Sequence, residues 1–136
     1  MSPEGPIPAA SVQSPFKGKP GLARLVLALR NSVSGFRDAW RHEAAFREEV
    51  ALASVLVPIA CLLPVSGIER AILVASVLLV PIVELLNSSV EAAVDRISLE
   101  RHSLSKRAKD LGAAAVLAAL GQVAVVWALV LLPRFL

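Results

Sequence analysis

The chain has 136 residues, 56% of them hydrophobic, and a formal net charge of +3. That is too apolar for an ordinary small soluble domain and points to a single membrane-embedded one. Cys61, the single cysteine, excludes an intrachain disulfide and reads as a buried apolar thiol; basic residues that flank apolar segments with few interleaved aromatics argue against nucleic-acid binding.

Residues 1–21 hold five prolines and three glycines and little apolar surface, the composition of a flexible tail. They lack the continuous apolar core of a signal peptide. From Leu22 to Trp40 the apolar residues Leu22, Leu25, Val26, Leu29, Val33, Phe36 and Trp40 recur at helical spacing, with Arg24, Arg30, Arg37, Asp38 and Arg41 largely off that stripe. This predicts a basic amphipathic helix over about 22–45 lying on the membrane surface, with "SVSG" at 32–35 as a candidate break.

Three long apolar segments follow. They are expected to cross the membrane at about 47–65, 69–96 and 110–133, a membrane domain spanning 22–136 together with the surface helix. The first is short between its charges and carries Pro58 and Pro64, and Trp127 near the end of the third suits an interfacial aromatic belt. Of the fourteen lysines and arginines, seven precede the first span and five lie between the second and third; only Arg70 and Arg134 fall elsewhere. That bias predicts a cytoplasmic N-terminus and 96–110 loop, with the C-terminus on the other side of the membrane.

The second segment poses the chemical question. After the uncharged run Ala71–Val83 it carries "ELLNSSVEAAVDR", and at about 100° per residue Glu84, Asn87, Ser88, Glu91 and Asp95 share roughly a third of the helix circumference. An acid in hydrocarbon costs at least a few kcal/mol, so this face must meet protein or water, and function is the default reading. Interhelical polar contacts are the alternative, strong for Asn87 and Ser88 alone and weaker for two glutamates a heptad apart.

Two carboxylates hold a divalent cation only with further oxygen ligands, which "RHEAAFREE" ahead of the first span could supply. Spacing leaves Glu43 open between a metal ligand and a salt bridge to Arg47 four residues on. In the loop, Lys109 could neutralise a phosphate, although Lys106, Arg107 and Lys109 equally fit the flank that orients a span. His102 alone reads as a surface histidine, and the chain has neither a GxxxxGK[ST] loop nor a protein-kinase signature.

"EAAFREE" (43–49), "VELLNSSVEAAVDR" (83–96) and "RHSLSKRAKDLGAAAV" (101–116), in that order over roughly residues 20–133, resemble the prokaryotic integral-membrane diacylglycerol kinase family. The resemblance implies an all-α membrane protein of the bacterial inner membrane: an N-terminal surface helix plus three transmembrane helices, assembled as a homotrimer with sites shared between subunits. It implies transfer of the γ-phosphate of ATP, with Mg2+, to diacylglycerol, giving phosphatidic acid.

By the same resemblance Glu84 matches the general base, and Glu43 and Glu91 match the metal-binding carboxylates. Asn87 belongs to the same polar face on the lipid side. Glu100, Arg101, His102, Lys109 and Asp110 match nucleotide-side positions. Arg24 matches an arginine near both lipid and nucleotide, and Arg70 a position that can touch lipid. Asn31 stands on the nucleotide side where some relatives carry an aromatic residue.

Undecaprenol is the alternative lipid alcohol. A small proton-coupled transporter using Glu84 and Glu91 as a relay is an alternative of another class, and a structural oligomer with buried acids as registry contacts is a third.

Overall fold

The computed structural model describes residues 20–97 and 102–136; the tail to residue 19, Glu100 and Arg101 lie outside them. All four elements are helices: α1 (Gly21–His42), α2 (Ala44–Leu62), α3 (Gly67–Ile97) and α4 (Ser103–Phe135).

Helix α1 runs unbroken through Ser32–Gly35, so that segment is no break; the Ser32 hydroxyl donates to the Ala28 carbonyl one turn back. Its apolar stripe from Leu22 to Trp40 is open, each member more than half exposed. The described residues divide after Gly35 into two compact units.

In the second unit, Glu43 in extended backbone separates α1 from α2. Arg47 fastens the joint by donating to the carbonyls of Trp40 (2.9 Å) and Arg41 (3.4 Å), the uncapped end of α1. The rings of Phe36 and Phe46 pack across the same joint, 6.5 Å between centroids.

Helix α2 stops at Leu62 because Pro64 holds Leu63 extended. Ser66 and Glu69 then start α3 with a reciprocal capping box: the Ser66 N–H donates to Glu69 Oε2 at 2.7 Å and the Glu69 N–H to Ser66 Oγ at 3.2 Å. His102 caps α4, its Nδ1 accepting from the Leu104 N–H at 3.2 Å. Helix α4 therefore starts well before its apolar segment.

Helix α3 packs against both α2 and α4. One core cluster joins Ala53, Val77, Val80, Ala119 and Val123, and a second joins Ala60, Val65 and Leu73; Trp127 packs against both. Arg134–Glu69 at one end (3.3 Å) and Lys109–Asp95 at the other (2.6 Å) fix α3 and α4 as antiparallel.

Outside these contacts the helices expose large apolar side chains, among them Val55, Ile72, Ile82, Leu117, Val125 and Leu129. Helices α3 and α4 are each long and apolar enough to cross a membrane, and so exposed an apolar surface makes this a membrane protein rather than a soluble bundle. Helix α2 does not meet that standard, because Arg47, Glu48 and Glu49 occupy its first turns. Its charge-free part, residues 50–62, is about 20 Å long against a hydrocarbon core of roughly 30 Å. Cys61 is exposed, contrary to the buried thiol expected from composition, because Ala60 takes the inward position on that turn.

Candidate active site

Leu73, Val77 and Val80 recur at helical spacing on the buried face of α3. One turn further on, the same face presents Glu84, then Asn87 and Ser88, then Glu91. The polar stripe is thus the direct continuation of the packing stripe. Glu84 is only 5% exposed, while Asn87, Ser88 and Glu91 are half-buried. Burial relaxes along the helix toward its C-terminal end, so the acids run from deep to shallow.

Helix α2 answers with a matching face. Phe46, Glu49, Ala53 and Ala60 are its buried residues, which turns Glu49 inward and leaves Glu48 outside. The charge of Glu84 acts on Glu49, and those of Glu43 and Glu91 act on Glu84. Four carboxylates, Glu49 on α2, Glu84 and Glu91 on α3 and Glu43 at the joint before α2, therefore share one neighbourhood. Among the described residues none of the four has a cationic partner at ion-pair distance.

Glu43 does not pair with Arg47, whose guanidinium is committed to the end of α1; its half-buried carboxylate stands at the start of α2 and leaves the α2 N–H groups uncapped. Glu49 Oε2 is buried without a hydrogen-bond partner. A cluster of like charges calls for a cation, and these are hard oxygen donors of the kind magnesium accepts. Among the described residues no three of them close around a metal unaided.

Lys109 stands at this end of the stripe. Its Nζ pairs with Asp95 and its charge also feels Glu91. Asp110 pairs with Lys106 one turn back, both exposed. His102 is an exposed helix cap.

Arg70 sits roughly 21 Å from Glu84 along α3. Its Nη2 donates to the carbonyls of Leu63 (3.2 Å) and Val65 (3.5 Å), so it staples the α2–α3 turn and is not part of the acid cluster. Arg24 and Asn31 lie on α1 in the other compact unit.

Two residues of this neighbourhood carry no motif signal of their own in the sequence. Glu49 sits among the charges of "FREE", and the spacing of Phe46, Glu49, Ala53 and Ala60 puts it on the inward face. Gly112 passed as ordinary, although a Cβ placed there would overlap the Asn87 carboxamide oxygen.

The bundle and its site define a membrane protein with a buried acid cluster where a spanning helix emerges from its apolar core. The chain matches the prokaryotic diacylglycerol kinase family over residues 30–131 and belongs to that family. It is similar to the diacylglycerol kinase of Pseudomonas aeruginosa, 57% identical over 119 residues that cover 88% of this chain and 97% of the relative. The diacylglycerol kinase of Escherichia coli K12 is 49% identical over 115 residues, covering 85% and 94%. That of Helicobacter pylori is 40% identical over 122 residues, covering 90% and 94%.

Proposed function

We propose that this chain is an ATP-dependent lipid kinase that converts diacylglycerol to phosphatidic acid at the cytoplasmic boundary of the bacterial inner membrane. The observation that carries the reading is Glu84, a carboxylate buried on the continuation of a packing stripe, with shallower acids beyond it toward the helix end. A lipid hydroxyl sits at the interface and a nucleotide in water, so a site for both belongs where polar residues enter a spanning helix.

In the reaction, the lipid hydroxyl gives its proton to a Glu84 carboxylate oxygen as that hydroxyl oxygen forms its bond to the γ-phosphorus. The bond from that phosphorus to the bridging oxygen breaks, and ADP leaves. Magnesium, when bound, would screen the phosphate charges. Glu43 and Glu91 would hold it together with the phosphates, and Lys109 would stand beside the developing charge. Such transfer is mainly positioning and charge neutralisation, which this layout supplies without a phosphate loop. His102, Asp110, Glu100 and Arg101 are assigned to the nucleotide side, as are Arg24 and Asn31 on the surface helix. Asn87 and Arg70 are assigned to the lipid.

The segment made of α2 and the non-helical Leu63–Val65 that follow it serves as a third span with a local fit of the bilayer, and α1 lies on the cytoplasmic surface. The charge bias supports a cytoplasmic N-terminus and a periplasmic C-terminus. A homotrimer with sites shared between subunits is carried over from the family resemblance. Diacylglycerol is preferred to undecaprenol because the relatives compared above are named diacylglycerol kinases.

The test is purified protein in mixed micelles with γ-labelled ATP, magnesium and either diacylglycerol or undecaprenol. Label entering phosphatidic acid is the expected result. Label entering only the undecaprenol product would replace the substrate, and no transfer to either lipid would end the kinase reading.

A further inference from the structure

Helices α3 and α4 meet closely at Asn87 and Gly112, where a Cβ on residue 112 would overlap Asn87 Oδ1. That oxygen is buried and has no conventional donor. Glu84, buried, stands three residues earlier on the same face of α3, the spacing at which two helical side chains are neighbours. Three alanines, Ala113–Ala115, follow Gly112 directly, so alanine would be the cheaper helix former at this position, by about 1 kcal/mol.

From this juxtaposition we infer that Gly112 is a positioning residue for the phosphotransfer reaction: its missing side chain is the seat that turns the Asn87 carboxamide toward Glu84. The oxygen end of Asn87 occupies the space over the α4 backbone, leaving the amide N–H groups as the end that can reach the carboxylate. A methyl group at 112 evicts the oxygen, and the amide loses its aim at Glu84 before any other contact in the bundle changes. This inference rests on the kinase reading for its consequence in turnover, and on packing alone for the seat itself.

The experiment is a double-mutant cycle on the full chain in micelles, using Gly112→Ala, Asn87→Ala and the pair, read both as turnover and as thermal unfolding. Gly121→Ala on the same helix is the control, since a Cβ there meets nothing within 4 Å. Gly112→Ala is expected to lower kcat roughly a hundredfold, the scale of a misplacement of about 1 Å, with KM for ATP little changed. In the Asn87→Ala background the same change should cost no further turnover and no longer lower the unfolding temperature. Equal losses in both backgrounds, or a Gly112→Ala enzyme as fast as the unsubstituted one, would overturn the inference. If the unsubstituted chain transfers no phosphate, the kinase reading fails by itself. The unfolding cycle then decides the seat: coupling retains it, and additivity removes it.

Discussion

Lys109 Nζ lies 2.6 Å from Asp95 Oδ1, bridging the first turns of α4 to the last turns of α3. Both side chains are partly exposed, and ion pairs of that kind contribute little to stability. The bridge instead holds a cation over the shallow end of the acid stripe, within the field of Glu91.

Lys109→Gln should therefore unfold at nearly the same temperature as the unsubstituted chain while turnover falls roughly tenfold or more and KM for ATP rises. Asp95→Asn, which frees the lysine without removing it, should cost less. Thermal unfolding and steady-state kinetics on the same preparations check this. Equal loss of stability in both variants, with turnover per folded molecule intact, would make the pair a strut.

Glu43 and Glu91 lack cationic partners among the described residues and face the same neighbourhood as Glu84. Glu43→Gln and Glu91→Gln should each raise the magnesium concentration needed for half-maximal activity, on the order of tenfold, with the fold retained. A magnesium titration of turnover reads this directly. Unchanged activity in both variants would remove the metal role.

Much of the acid stripe is legible because helical periodicity is a strong signal: spacing puts Glu84, Asn87, Ser88, Glu91 and Asp95 on one face, which is inward from Glu84 to Glu91 and exposed at Asp95. What escaped depended on which neighbour each face meets. Glu49 looked like Glu48 until α2 turned one of them toward α3. Spacing offers Arg47 as a partner for Glu43, but its guanidinium donates to the carbonyls ending α1 instead. Helix α4 begins at Ser103 because its charged first turns are helical without being apolar, and hydropathy marks only the span. The Ser66–Glu69 box has the S-x-x-E spacing, a short signal that stands next to the stronger stop at Pro64.

That box gives a stability prediction separate from the chemistry. Ser66→Ala removes the cap of α3 at the end remote from the acids, and should cost about 1 kcal/mol. Thermal unfolding in micelles should show the drop while turnover per folded molecule is preserved. A loss of turnover with unchanged unfolding would place this turn in the site.

Topology is tested by labelling. In a Cys61→Ser background, Phe135→Cys should react with an impermeant thiol reagent added to intact spheroplasts, and Ser103→Cys should not; both positions are exposed. The reverse pattern would put the acid cluster on the side without ATP.

The buried carboxylate of Glu84 is the centre of the account, and turnover of Glu84→Gln in the diacylglycerol assay tests it most directly. The substitution keeps shape and hydrogen-bonding capacity and removes the base. General-base catalysis contributes typically 10²–10⁴-fold, so turnover should fall by about that factor, with ATP affinity and assembly little changed. A Glu84→Gln enzyme that phosphorylates diacylglycerol at close to the unsubstituted rate would contradict the account and leave Glu84 a packing residue.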